Sequence, residues 1–353
     1  MSRRTRFISI LAVGAAAALL AGCSTAAPAA EPASTPAADT ALYEAAKAEG
    51  KVTVYMNVTP DVVDAVKQGF IAKYPGITVD AVRLPDAEMV PRLDAELGSG
   101  APTADLIENA SPIWLNAKGA DGAWAPAELS PQASGEGTYD NAKWFDPETN
   151  VYEVGGSITT FAWNTDLLPD GLKDYTDLLD SDLGGGKIGV LELSSAPSND
   201  FYIWLQDTFG EDFYEDLGGQ HPRIYPSTTG IVEALGAGEI YAANWIVPSL
   251  LEQAKAAGAP VDYAMRTDGG LFGLHGYTVI NAKAASPNAA QLYLDYMLSE
   301  EGQSLLWPTA ASVLNPPPAG VLASNDDLPP FVAEQSTPDK IAEARVRWDS
   351  FYR

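Results

Sequence analysis

Short β-rich runs alternate with helical stretches along most of this chain, and that alternation restricts it to α/β folds built on a largely parallel sheet. Val52-Thr53-Val54-Tyr55 is the first such run. Thr59-Pro60 then supplies an N-cap and a first-turn proline. Val63, Val66, Phe70 and Tyr74 follow at helical spacing until Pro75-Gly76, and Ile77-Thr78-Val79 opens the next strand. A helix is expected over 86–97, although Pro91 lies inside it, and Ala104-Asp105-Leu106-Ile107 reads as a buried strand. Residues 121–150 are loop-rich, and Ser157–Asn164 is extended. A second alternating series follows: strands at 187–191, 223–226, 239–245 and 261–265, helices at 199–209, 229–236 and 248–257. Gly276–Asn281 is extended, 287–298 is helical, and a last helix is expected over 338–350. No short internal repeat is present, and the two series read as two lobes of similar build.

The 353 residues carry 47 acidic and 21 basic side chains, a formal charge of −26. Such a surface repels nucleic acid, whose binding needs clustered Lys and Arg. Cysteine chemistry is confined to Cys23, the single thiol, so no disulfide holds the fold. The two histidines, His221 and His275, stand far apart in sequence, and no cysteine cluster accompanies them, so no zinc-type site is expected. Common enzyme motifs are missing: no Gly-x-Ser-x-Gly, no P-loop, no Gly-x-Gly-x-x-Gly after a strand, no His-Glu-x-x-His. Gly184-Gly185-Gly186-Lys187 is a flexible turn, since no Ser or Thr follows the lysine. A secreted hydrolase using two carboxylates is the less favoured alternative, because acids are too abundant to single out a pair. A surface adhesion module would show repeats or many hairpins, which α/β alternation does not provide.

The first residues carry Arg3, Arg4 and Arg6, then an apolar run from Phe7 to Leu20, then Leu20-Ala21-Gly22-Cys23. This opening reads as an export signal, with an apolar run shorter than the roughly 20 residues a bilayer demands. Leu-Ala-Gly-Cys resembles the lipobox of bacterial lipoproteins, which implies removal of residues 1–22 and lipidation of Cys23. Cleavage removes three arginines and no acid, leaving 47 acids against 18 bases, or −29. Residues 23–40 then form an Ala/Pro/Ser/Thr spacer between lipid and domain. About 310 residues remain, enough for two lobes.

Lys73-Tyr74-Pro75-Gly76-Ile77, Ala104-Asp105-Leu106-Ile107, Ala237-Gly238-Glu239, Pro287-Asn288-Ala289-Ala290 and Ser299-Glu300-Glu301-Gly302-Gln303 appear in that order. Together they resemble the periplasmic binding proteins of ABC importers, closest to the ferric-ion and small-solute branch. The resemblance covers about residues 43–315 and implies a two-lobed type II fold, mostly parallel sheets with hinge-crossing strands at 154–164 and 272–281. Lobe one would take 41–155 plus 277–305, and lobe two 156–276 plus 306–353. A small solute would bind between them, and the partner would be an ABC permease. No cofactor is expected, and the chain is expected to act as a monomer.

Ligands in open α/β sheets bind beyond the carboxyl ends of strands, where helix starts offer free N–H groups. Four loops qualify. The first holds Asn57 and Thr59, the latter as helix cap; the second runs Glu108, Asn109, Ala110, Ser111. The third holds Ser195 and Ser198, with Ser198 as the cap; in the resembled family the matching loop donates to anionic ligand groups. The fourth is Ser227, Thr228, Thr229. Asn244 and Trp245 close the strand at 239–245, and Tyr277 sits with His275 at the second crossing. Iron-binding members of the branch present two adjacent tyrosines after the Gly-Glu segment. Here the segment reads Tyr241-Ala242-Ala243-Asn244-Trp245, and no Tyr-Tyr pair occurs anywhere. A ferric ligand is therefore the alternative, and a small organic solute bearing a carboxylate or phosphonate the leading expectation. Arg83, Arg223 and Arg266 are candidate partners for such an anion.

Overall fold

The computed structural model describes residues 37–101, 103–266 and 270–353. The expected signal peptide, Cys23 and most of the spacer lie outside the described residues. The remainder of the expected spacer is helical instead: α1 (Ala37–Glu49) begins four residues before residue 41. Alanine favours helix, and Leu42 and Ala46, one turn apart, are both buried.

The first series continues with β1 (Lys51–Met56), α2 (Pro60–Lys73), β2 (Thr78–Arg83), α3 (Asp86–Ser99), β3 (Leu106–Asn109) and α4 (Pro112–Ala120). Pro91 is accommodated inside α3 on its exposed side. Three short pieces, β4 (Trp124–Ala125), α5 (Asn141–Trp144) and β5 (Phe145–Asp146), interrupt the expected loop region before the long strand β6 (Val151–Asn164). The second series is β7 (Ile188–Leu191), α6 (Ala196–Phe209), α7 (Glu211–Gly219), β8 (Arg223–Tyr225), α8 (Thr228–Gly236), β9 (Ala242–Ile246), α9 (Pro248–Ala256) and β10 (Val261–Ala264). A second long strand, β11 (Phe272–Asn281), leads back to α10 (Pro287–Leu298) and α11 (Glu300–Leu306), then β12 (Ala311–Ser312), β13 (Ala323–Ser324) and finally α12 (Pro338–Tyr352).

Hydrogen-bonded strands follow the order β2-β1-β3-β11-β6-β9-β7-β8. Each series is parallel within itself: β1 pairs with β2 and β3, and β7 with β8 and β9. Antiparallel pairing enters where β6 and β11 run beside each other and carry the chain between halves. The latter part of β11 pairs with β3, and the latter part of β6 with β9 and β10. Their mutual register shifts between Gly276 and Tyr277.

Each half buries its own core. The first gathers Val52, Val54, Phe70, Leu106, Tyr293 and Tyr296 around β1 and α10. Glu49 fastens α1 to the start of α10, accepting from the backbone N–H of Asn288 and Ala289 at 3.1 and 2.8 Å. The second core gathers Phe161, Ile188, Phe201, Leu205 and Ala242, and draws in α12 through Trp348 and Tyr352. Leu306, Trp307, Ala310 and Val313 lie in the first core, so the segment just beyond α11 packs with the first half, whereas the expected boundary puts everything after 305 in the second. These are apolar side chains next to α10, which fixes their side of the molecule.

Candidate functional site

A cavity of about 430 Å³ opens where the two halves meet, within the usual size range of small-molecule sites. It lies beyond the carboxyl ends of the parallel strands of both series. Asn57, Val58 and Thr59 after β1, with Glu108, Ala110 and Pro112 at the end of β3, form the wall from the first half. Ala196 and Pro197 after β7, Trp204 of α6, and Val247 and Ser249 after β9 form the wall from the second. The crossing strands make the floor with Ser157 and Phe272 to Tyr277, and Leu306–Ala310 and Pro329–Val332 border it.

The floor requires glycine. Trp307 lies across both crossing strands and donates its indole N–H to the carbonyl of Val154. A Cβ on Gly155 would fall 2.0 Å from Trp307 Nε1, and one on Gly276 2.6 Å from its Cζ2. Gly155 also holds φ at +126°, a region side chains avoid.

The wall from the first half carries acid. Glu108 is wholly buried, with Oε2 accepting from the Asn57 backbone N–H at 2.9 Å. Its Oε1 is buried and has no hydrogen-bond partner. Burial above all, with the charge of Asp86 adding, pushes its carboxyl up to about 8, against the backbone donors at Asn57 and Val58. Asp86, in the first turn of α3, accepts from Asn57 Nδ2 at 2.9 Å and from the Ala110 N–H at 3.2 Å. Burial raises its carboxyl too. Asp200, opposite, accepts from Ser336 Oγ at 2.8 Å and is likewise raised by burial.

His275 ties the floor to the late segment. Its Nδ1 lies 2.6 Å from Glu153 Oε1 and its Nε2 2.8 Å from the Pro329 carbonyl. Asn325 Nδ2 also donates to Glu153 Oε1, at 2.6 Å. The Pro329 carbonyl can only accept, so Nε2 carries hydrogen, and when Nδ1 is protonated as well the ring forms an ion pair with Glu153. Burial works against the charged ring, but the hydrogen bond and charge of Glu153, with the Pro329 carbonyl, outweigh it, and the His275 pKa is raised.

Of the residues expected from sequence to hold ligand, Asn57, Thr59 and Tyr277 line this cavity. Thr59 occupies the N-cap of α2. The Tyr277 hydroxyl is raised by burial, with Glu153 adding. Asn109 belongs to β3 rather than to the loop after it, because the strand runs two residues further than its sequence pattern; it is buried, and its Oδ1 accepts from the Ser111 N–H at 2.9 Å. Ser111 is the N-cap of α4. Ser195, not Ser198, is the N-cap of α6, since that helix starts at Ala196; Ser198 is buried and accepts from the N–H groups of Ser194 and Ser195. Ser227 caps α8, accepting from the Gly230 N–H at 3.2 Å, with Thr228 and Thr229 in the first turn. Asn244 and Trp245 are buried inside β9 rather than at its end, and Trp245 Nε1 donates to Thr228 Oγ1 at 2.9 Å. None of these nine residues lines the cavity. Asp105 stands before β3, at the opposite end from the cavity, and ties the Thr53 and Ser286 N–H groups together.

Sequence reasoning passed over Asp86, Asp200 and Trp204, the stretch 306–310, and 329–335, and it named Glu108 in the second loop without choosing it as a ligand contact. Glu108 had a signal: an acid ending an otherwise apolar strand. The later segments had none, because only the fold brings them over the crossing strands. Among the described residues that line the cavity there is no lysine or arginine. Arg83 is exposed and donates to the Val58 carbonyl. Arg266 pairs with Asp174 at 3.3 Å, and Arg223 is exposed on β8. Among the described residues no group of three or more His, Cys, Asp or Glu could hold a metal ion, and no helix is long and apolar enough to cross a membrane.

Solved structures share this architecture. The substrate-binding protein of an ABC transporter from Agrobacterium tumefaciens superposes with a TM-score of 0.65 at 17% identity, covering 86% of this chain and 94% of that one. An ABC transporter substrate-binding protein from Bradyrhizobium japonicum gives 0.63 at 16%, covering 86% and 100%. Iron-bound HitA from Pseudomonas aeruginosa gives 0.59 at 19%, covering 85% and 99%. The fold is thus the two-lobed type II periplasmic binding protein fold. No curated protein matches this chain by sequence. The family model for bacterial extracellular solute-binding proteins matches residues 65–332, and the chain belongs to that family.

Proposed function

We propose that this protein is the solute receptor of an ABC importer, held at the outer face of the cell membrane by lipid on Cys23. It captures a small organic molecule between its halves and presents it to a membrane permease. One observation carries the reading: a cavity of ligand size is walled by both halves and floored by the two strands that join them. A ligand there touches both halves, so it stabilises whichever arrangement brings them closest. Lobe one then comprises β1–β3 with α10 and α11, lobe two β7–β10 with α12, and closure bends β6 and β11. Asn57, Thr59 and Tyr277 contact the ligand in this reading. Lipid anchoring raises the local concentration at the permease.

A thermal-shift screen of the purified protein tests it, because a ligand that binds only the folded form raises the melting temperature. The panel includes carboxylates, phosphonates, polyamines, vitamins and ferric salts with an anion. A rise with one solute class supports the reading. No rise across the panel, together with no small molecule retained from a cell extract by native mass spectrometry, overturns it.

A further inference from the structure

We infer that the cavity selects an organic cation: an apolar molecule carrying a protonated amine, with the ammonium seated against Glu108 and Asp86. This rests on the cavity being the solute site. It reverses the charge expected from sequence, and the reason lies in where the helix-start donors point.

Free N–H groups at strand-end loops attract anions, but here the protein's own carboxyl groups already occupy two of them, while no side chain caps α2, α4 or α9. Glu108 takes the Asn57 N–H and Asp86 the Ala110 N–H. In the second half, Ser198 Oγ takes the N–H groups of Ser194 and Ser195. A ligand anion would find those two donors in use and the carboxyl groups of Glu108 and Asp86 beside them. Asp200 adds a third acid to the lining, and no lysine or arginine among the described lining residues offsets them. His275, the one described lining residue able to carry positive charge, is paired with Glu153 and has both ring nitrogens engaged.

Glu108 supplies the independent sign of a missing partner. It is wholly buried and lines the cavity, and its Oε1 accepts nothing. A buried carboxyl oxygen without a partner is costly; burial keeps Glu108 protonated at neutral pH in the unliganded protein, and an ammonium, bringing donors and compensating charge, draws it into the ionised form that accepts. The rest of the lining suits an apolar body: Trp204, Phe272, Trp307, Phe331, Val247 and Ile203. Aromatic faces attract cations as well.

Calorimetric titration of the full protein with matched probes tests the assignment. Phenethylamine and N-methylphenethylamine are set against 3-phenylpropionate and the neutral 2-phenylethanol. The amines are expected to bind, and Glu108→Gln to weaken them about ten- to a hundredfold, the range of a hydrogen bond to a charged group. Asp86→Asn provides a second variant, and the melting temperature of each unliganded variant verifies folding. Binding of 3-phenylpropionate or 2-phenylethanol without the amines overturns the cation assignment and leaves the cavity reading standing. Amine binding that Glu108→Gln and Asp86→Asn leave unchanged overturns it too. If no probe binds, the cation assignment falls, while the extract-retention experiment above decides the cavity reading separately.

Discussion

Asn57 and Glu108, at the ends of neighbouring parallel strands, are joined by a 2.9 Å hydrogen bond from the Asn57 backbone N–H to Glu108 Oε2. Through it the β1–α2 turn, where an incoming anion would be held, is bound to an acid of the protein itself. Burial of that acid, which outweighs the bond, gives the unliganded fold a pH dependence.

With the Glu108 carboxyl at about 8 when folded and about 4.3 when unfolded, protonation is favoured by folding. The stability that goes with the protonated form is complete below the unfolded value and is lost as pH rises through 8. Urea unfolding of wild type and Glu108→Gln at pH 5.5 and 9 reads this directly. The variant is expected to gain on wild type by a few kcal/mol between those pH values, since each pH unit in which only the folded carboxyl holds its proton contributes on the order of 1.4 kcal/mol. A constant difference would contradict it.

His275 has the same sign from a different cause. Its pKa is raised by Glu153 and the Pro329 carbonyl, so its contribution is full below the ordinary value near 6.5 and fades as pH rises through the folded value. An NMR titration of its ring should give a midpoint above that of a free histidine, and Glu153→Gln should bring the midpoint down. A ring that titrates at or below 6.5 in the wild type would remove the ion pair from the account.

Gly155→Ala is expected to destabilise the protein by about 3 kcal/mol or more, combining an unfavourable φ with overpacking against Trp307. Gly98→Ala, at a helical position where an added Cβ meets nothing within 4 Å, should be neutral or slightly stabilising. Chemical denaturation of the pair reports the contrast, and equal losses would show that the indole does not press on the crossing strands.

Trp348→Ala should cost about 3–5 kcal/mol. Trp348 is fully buried in the second core, with its ring stacked on Tyr352 at 4.8 Å and 1°. Thermal unfolding measures the loss. If it proves small, α12 is an appendage rather than part of that core.

The fold was largely legible because the two periodicities are clean: Val63, Val66 and Phe70 mark α2, Val52 and Val54 mark β1, and all five are buried as their spacing demands. Boundaries were less legible where polar residues continue a strand inside the protein. Glu108 and Asn109 read as loop because acids and amides seldom lie in a sheet, yet β3 carries both. Asn244 reads as a strand end for the same reason and lies within β9. The first wall of the cavity could be placed from Asn57 and Thr59, since strand-end loops are local features. Trp307 and Phe331 could not, because what puts them at the cleft is the return of the chain over β6 and β11, a property of tertiary topology.

Filling the cavity gives the most direct test of the central claim that solute is held between the halves. Ala110, on the first-half wall, is replaced by tryptophan, and the strongest stabiliser from the solute screen is titrated calorimetrically into both proteins. The account predicts one binding event in the wild type and none in a folded Ala110→Trp variant. Equal affinity in the two proteins would contradict it.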